Sequence, residues 1–87
     1  KLAIGFTEVR IISPNWGAAI LDALRKHNYA VTEIPARGKD GMVSVITSSI
    51  RRGQVSDFEK LVLDIDENAF ITKEDVVAVR QGFWRAK

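Results

Sequence analysis

The hydrophobic and polar positions of this chain follow two periods, and together they predict four strands separated by two helices. Residues 6–12 alternate between the two classes and are rich in β-branched side chains, which predicts a strand. Similar stretches predict further strands at residues 29–36, 42–50 and 69–72. The glycine-rich segment between the second and third stretches indicates a turn that joins them as a hairpin.

Two segments between the strands carry apolar residues at helical spacing. Ser13 and Pro14 are predicted to begin the first helix, as its N-cap and its first helical residue. Its apolar stripe is predicted to consist of Trp16, Ala19, Ile20, Ala23 and Leu24. The second stripe consists of Val55, Phe58, Leu61, Val62 and Ile65. Thr72 and Asp75 resemble a capping box, which predicts a short additional helix with Val76 and Val79 facing inward.

The order β-α-β-β-α-β predicts an α+β, ferredoxin-like fold. Right-handed crossovers would place four antiparallel strands in one sheet, with both helices on one face. The 87 residues are enough for a single domain over residues 1–87 and too few for two. Because the chain begins at Lys1 and turns strand-like within a few residues, we expect it to be part of a longer protein.

Composition and charge exclude several classes of function. The formal net charge of +2 is too small and too dispersed to indicate a nucleic-acid partner. The absence of cysteine excludes disulfides, thiolate metal ligands and thiol catalysis. The sequence shows no paired base and nucleophile and no metal-ligand spacing, so we expect neither a cofactor nor an enzyme. No apolar run reaches the length of about 18–20 residues that a membrane span requires.

The hairpin between the second and third strands is the most suggestive candidate site. In this topology it lies at the same end of the sheet as the start of the first helix, where backbone N–H groups attract anions. We therefore predict an anion-binding or nucleotide-binding site formed by Arg37, Gly38, Lys39, Gly41, Ser13 and Asn15. The alternative is a plain hairpin, in which the glycines satisfy turn geometry and the charged side chains are solvated.

A second candidate lies near the end of the chain. Phe83 and Trp84 are two large apolar rings between Arg80 and Arg85. They are predicted to form a docking patch for a partner. The alternative is that they cover the open edge of this chain's own sheet.

Several segments resemble the C-terminal domain of unknown function in YitT-type and related uncharacterised multi-pass bacterial membrane proteins. The resemblance covers nearly the whole chain. Its motifs are the hairpin at residues 37–41, Arg51-Arg52, the run from Asp66 to Thr72, and Asp75-Val76 with Gly82-Phe83 downstream. It implies a ferredoxin-like fold of the PII-like group, on the cytoplasmic side of the bacterial cell membrane and attached to an N-terminal membrane segment.

The resemblance also implies a homo-oligomer and a small anionic effector. PII-like relatives bind such effectors near the loop between strands two and three, which corresponds by position to Arg37, Gly38, Lys39 and Gly41. Two hypotheses follow from this. The chain is either a regulatory module that senses a small ligand or a purely structural homo-oligomerisation domain without one.

Overall fold

The chain forms one four-stranded antiparallel sheet and two helices in the order β-α-β-β-α-β. The computed structural model describes residues 4–78, and describes side chains within residues 5–76. The strands are β1 (Ile4–Ile12), β2 (Thr32–Gly38), β3 (Gly41–Arg51) and β4 (Phe70–Ala78). The helices are α1 (Gly17–Lys26) and α2 (Val55–Ile65), with one short 3-10 turn before α2. The sheet order is β2-β3-β1-β4, which confirms the predicted ferredoxin-like architecture.

The sheet packs one of its faces against both helices. The core that forms there consists of Val9, Ile11, Ile20, Leu24, Ile46, Ile50, Phe58 and Val62. Successive residues of a strand point to opposite faces, so the residues between these core positions, such as Glu8 and Arg10, lie on the other face. Within residues 4–78 neither helix packs on that second face, which we call the open face.

Strand β4 is longer than expected, and the prediction of a helix starting at Thr72 is wrong through residue 78. Residues 70–78 pair with β1 along its whole length. Side chains reinforce this pairing, because the Thr7 hydroxyl donates a hydrogen bond of 3.0 Å to Asp75. On the same face, Lys73 lies 2.7 Å from Glu59 of α2. These long-range contacts override the local capping pattern, and Val79 lies outside the described residues.

Helix α1 begins later than expected, which removes Trp16 from the core. The Trp16 N–H donates a 3.3 Å hydrogen bond to the Ser13 hydroxyl, so residues 13–16 form a turn before the first helical residue, Gly17. Pro14 therefore lies in this turn and not in the helix. Trp16 is 52% exposed, and Ala19 of the predicted stripe is exposed as well. The buried residues of α1 are Gly17, Ile20 and Leu24.

Candidate functional site

The β2–β3 hairpin closes with a two-residue turn, which explains both of its glycines. Gly38 pairs with Gly41 across the turn formed by Lys39 and Asp40. Gly41 has a φ of 131°, a conformation that side chains strongly disfavour. A Cβ atom on Gly38 would lie 3.3 Å from the carbonyl oxygen of Gly41. Gly41 therefore has a conformational role and Gly38 a steric one, and neither role requires a ligand.

A hydrogen bond between Ser13 and Asp66 joins the loop between β1 and α1 to the loop between α2 and β4 at one end of the sheet. Ser13 is 2% exposed, and its hydroxyl donates a hydrogen bond of 2.6 Å to the Asp66 carboxylate. The other oxygen of that carboxylate accepts the Asn68 N–H at 2.9 Å. Because the Ser13 oxygen also accepts the Trp16 N–H, this hydroxyl fixes the position of the loop before α1.

We expect Ser13→Ala to lower the free energy of unfolding by about 1–2 kcal/mol, since it removes a hydrogen bond to a charged group from a buried position. Urea unfolding of the purified chain measures this change. Ser56→Ala, at an exposed position of α2, is the control and should change stability by less than about 0.5 kcal/mol. Equal unfolding midpoints for the two variants would contradict the proposed role of Ser13.

A cleft of about 440 Å³ lies between the start of α1 and the β2–β3 hairpin. The turn and first residues of α1 form one wall, and strands β2 and β3 form the other. The lining residues that matter for recognition are Asn15, Gly17, Ala18, Glu33, Pro35 and Ser44. A Cβ atom on Gly17 would lie 3.6 Å from the Ser44 Cβ atom, so the helix approaches β3 closely. The cleft is therefore narrow where the helix begins.

The two walls of the cleft differ in charge. The first N–H groups of α1 have no acceptor within the helix, and they give this wall a partial positive charge. The opposite wall carries the Glu33 carboxylate, which accepts a hydrogen bond from the Ser44 hydroxyl. A bound molecule would meet hydrogen-bond donors on one side and a carboxylate on the other.

The structure brings together only part of the predicted anion site. Ser13 and Asn15 line the cleft. Arg37 lies on the same face of β2 as Glu33 and Pro35, because alternate strand residues share a face, and about 7 Å beyond Pro35 along the strand. The remaining predicted residues, Gly38, Lys39 and Gly41, lie farther out at the hairpin end.

Sequence reasoning missed Glu33 and Ser44. A two-residue turn fixes the register of the hairpin, and this register pairs Pro35 with Ser44. Once the turn length is known, the register therefore shows which strand residues lie on the face toward α1.

A second cleft, of about 310 Å³, lies between the end of α1 and the outer side of α2. His27, Asp57, Lys60 and Asp64 contribute charged or titratable groups to it, and all four are exposed. The Nδ1 atom of His27 lies 3.0 Å from the carbonyl oxygen of Ala23, as is typical of a histidine at a helix end. Mixed and exposed charges of this kind are typical of a solvated helix surface, so we assign the cleft no function.

Two predictions concern other parts of the chain. The docking patch at Phe83 and Trp84 lies outside the described residues and stays a prediction. Among residues 4–78, no helix is long and apolar enough to cross a membrane. The prediction of a membrane-attached parent protein therefore rests on the resemblance alone.

Solved structures of PII-like proteins share this fold. CPII of Thiomonas intermedia K12, a nitrogen regulatory PII-like protein, matches with a TM-score of 0.74 and 14% identity. The match covers 92% of this chain and 94% of the CPII chain. That CPII structure contains bound ADP, AMP and acetate. A putative PII-like signaling protein of Thermus thermophilus matches with a TM-score of 0.70 and 14% identity, over 91% of this chain and 94% of its own. Identities this low show a shared fold and nothing further.

The family assignment is more specific. The family described as an uncharacterized protein conserved in bacteria, DUF2179, matches residues 29–81, more than half of the chain. The chain therefore belongs to the DUF2179 family. The crystal structure of a DUF2179 protein of Eubacterium ventriosum agrees, with a TM-score of 0.64 and 26% identity over 84% of this chain and 97% of that one.

Curated relatives of the chain are named UPF0316 proteins. One of Acetivibrio thermocellus is 32% identical over 85 residues, and one of Syntrophotalea carbinolica is 37% identical over 82 residues. These matches cover 98% and 94% of this chain but 42% of each relative. The chain thus spans about two fifths of the length of these relatives.

Proposed function

We propose that this chain is a regulatory module that binds a small anionic ligand of the nucleotide class in the cleft beside α1. The observation that carries the proposal is the pair of unlike walls, one with free N–H groups of α1 and the other with the Glu33 carboxylate. The ADP and AMP held by CPII, a protein of the same fold, support the choice of ligand class.

The presence of Glu33 favours a nucleotide over a bare anion. A carboxylate repels inorganic phosphate, but it accepts hydrogen bonds from the hydroxyl groups of a ribose or the amino group of a base. A nucleotide carries such donors together with a phosphate group, which suits the start of α1 and the guanidinium of Arg37. A cleft of about 440 Å³ is within the usual range of small-ligand sites.

In this proposal the chain is the cytoplasmic domain of a longer bacterial membrane protein of the YitT-type or a related group. Ligand binding would then be communicated to an N-terminal membrane segment of the parent chain. The relatives are more than twice as long as this chain, which leaves room for such a segment.

We propose a binding function for the cleft and no catalytic one. Ser44 donates a hydrogen bond to Glu33, but an activated nucleophile also needs a base that a third group orients. Among residues 5–76, no other side chain donates a hydrogen bond to the Glu33 carboxylate. The pair therefore suits recognition of a ligand better than attack on one.

Thermal unfolding in the presence of ADP, AMP, phosphate and acetate tests this function. A ligand at ~100 times its dissociation constant should add about 2.7 kcal/mol of stability, a shift of many degrees for a domain of this size. We expect this shift with a nucleotide and little with phosphate. Arg37→Ala should reduce it, whereas Lys60→Ala, on the outer side of α2, should leave it unchanged.

The alternative function is structural homo-oligomerisation without a ligand. Among residues 4–78 neither helix packs on the open face of the sheet, and this observation favours the alternative. This alternative predicts that no member of the ligand panel changes the melting temperature, while the melting temperature rises with protein concentration.

A further inference from the structure

The chain enters and leaves the sheet at the same end. Ile4, the first residue of β1, and Ala78, the last residue of β4, are cross-strand partners. The cleft beside α1 lies at the other end, where β1 ends and the first helix begins. The two ends of the sheet therefore differ in what they connect to, and they also differ in charge.

Helix α1 brings two basic residues to the end where the chain enters. Strand β2 runs parallel to β1, so α1, which connects them, runs back toward the start of β1. The Ala30 carbonyl, which follows α1, accepts a hydrogen bond of 2.7 Å from the Ser48 hydroxyl near the end of β3. Arg25 and Lys26 lie in the last turn of α1, and both are exposed.

Strand β3 ends there with two more basic residues. Arg51 is its last residue and pairs with Phe6 of β1, and Arg52 follows directly. The guanidinium of Arg52 lies against the backbone at Gly5, since a Cβ atom there would be 2.6 Å from the Arg52 Cζ atom. Both arginines are exposed. We call the following four residues the basic end: Arg25, Lys26, Arg51 and Arg52.

The connecting segments at the two ends of the sheet have opposite charge. At the basic end, residues 27–31 and 52–54 contain no acidic residue. At the opposite end, residues 13–16, 39–40 and 66–69 contain Asp40, Asp66 and Glu67 and only one basic residue, Lys39. The domain thus presents positive charge where the chain enters and leaves the sheet, and negative charge at the far end.

Acidic neighbours hold the basic end only weakly. The Lys26 Nζ atom lies 3.3 Å from a carboxylate oxygen of Asp22, and the Arg52 Nε atom lies 3.9 Å from one of Asp75. Both pairs are exposed, so solvent screens them and each contributes little. Where side chains are described, the other two members of the basic end form no ion pair. Cationic groups are therefore free to meet an external anion.

We propose that the basic end lies against the headgroups of an anionic lipid bilayer. This surface rests on the membrane attachment in the proposed function and adds an orientation, with the cleft and the acidic loops directed away from the bilayer. Anionic lipids attract Lys and Arg side chains that lie within about one Debye length of the surface. They repel the acidic far end, so one charge distribution selects which end faces the membrane. Nucleic acid, another polyanion, would not explain why the positive charge collects where the chain enters and leaves the sheet.

Flotation of the purified chain with lipid vesicles tests this surface. The vesicles contain phosphatidylcholine alone or phosphatidylcholine with an increasing share of phosphatidylglycerol. We expect binding that rises with the anionic share and falls as salt is added, because salt screens exposed charges. The double variant Arg25→Glu with Arg51→Glu should weaken vesicle binding at least about tenfold, since it replaces attraction by repulsion at two positions.

The matched control is the double variant Lys39→Glu with Lys60→Glu, which makes the same change of net charge away from the basic end. At physiological salt, where the Debye length is about 8 Å, it should change vesicle binding by less than about twofold. Circular dichroism shows that both double variants are folded.

Three results would overturn the inference. The first is a wild-type chain that does not bind the anionic vesicles, and the second is an equal loss of binding in the two double variants. The third is a DNA duplex that binds as tightly at the same phosphate concentration and loses binding equally in Arg25→Glu with Arg51→Glu. In that case the basic end would recognise polyanions in general and not a lipid surface.

Failure of this surface and failure of the proposed function give different results. Nucleotide binding is measured without vesicles, and vesicle binding is measured without nucleotide. A chain that binds a nucleotide but no anionic vesicle would keep the ligand site and refute the basic end as a membrane contact. A full-length parent protein that fractionates with membranes, while this chain binds no anionic vesicle, would keep the membrane attachment and refute only the orientation.

Discussion

Replacement of Phe58 by alanine should lower the free energy of unfolding by about 3–5 kcal/mol. Phe58 is fully buried in the core between the helices and the sheet. Its ring also makes an edge-to-face contact with the ring of Tyr29, with ring centroids 5.0 Å apart and ring planes at 88°. The change would remove apolar burial and this aromatic contact together, and it would leave a cavity that the core fills only in part.

Chemical denaturation followed by circular dichroism measures this loss. Domains have about 0.05–0.15 kcal/mol of stability per residue, so the variant should lose a large share of its total. Leu63→Ala is the control, because Leu63 lies in the same helix but is 41% exposed. If the two variants unfolded at similar denaturant concentrations, the assignment of Phe58 to the centre of the core would be wrong.

Substitution of Gly41 by alanine should have the next largest effect, a loss of about 1–3 kcal/mol. The residue has a φ of 131°, a region that is strained for any residue with a Cβ atom. No heavy atom lies within 4 Å of a Cβ placed there, so the cost is one of backbone strain and not of a clash. The hairpin turn should be distorted or its closing pair weakened.

The control for this prediction is Gly53→Ala. Gly53 also has open space around a new Cβ atom, and its φ is not positive. At such a position alanine is neutral or stabilises by about 0.4–1 kcal/mol. Equal changes in the free energy of unfolding of the two variants would contradict the conformational explanation for Gly41.

The order of the helices and strands could be predicted from the sequence because the local sequence pattern and the tertiary packing favour the same structure in most segments. The apolar residues Val55, Phe58 and Val62 have helical spacing and lie on one face of α2, and Phe58 and Val62 are buried. The alternation at residues 6–12 likewise matches β1, with Val9 and Ile11 buried. In such segments tertiary packing reinforces the pattern that the sequence shows.

The two errors arise where a local signal competes with a contact distant in sequence. Thr72 and Asp75 have helix-capping spacing, but Asp75 accepts a hydrogen bond from Thr7, 68 residues away. Trp16 has the spacing of the α1 stripe, but the Ser13 hydroxyl, anchored by Asp66, holds the preceding turn outside the helix. Neither distant contact can be read from a window of a few residues.

The candidate site was predictable only in its location. The topology brings the start of α1 and the hairpin to one end of the sheet, as expected, and Asn15 lines the cleft. The Glu33 carboxylate was not anticipated, since its approach to the cleft depends on the exact hairpin register. In the function that we propose, this carboxylate favours a ligand that also donates hydrogen bonds over a simple anion.

Calorimetric titration of the purified chain with ADP tests the ligand site most directly, with inorganic phosphate as the reference ligand. We expect saturable ADP binding that weakens in Arg37→Ala and in Glu33→Gln, and little heat with phosphate. The two substitutions change different parts of the cleft's surroundings, and both positions lie on strand β2. No ADP binding, or binding that neither substitution alters, would contradict a nucleotide site in this cleft.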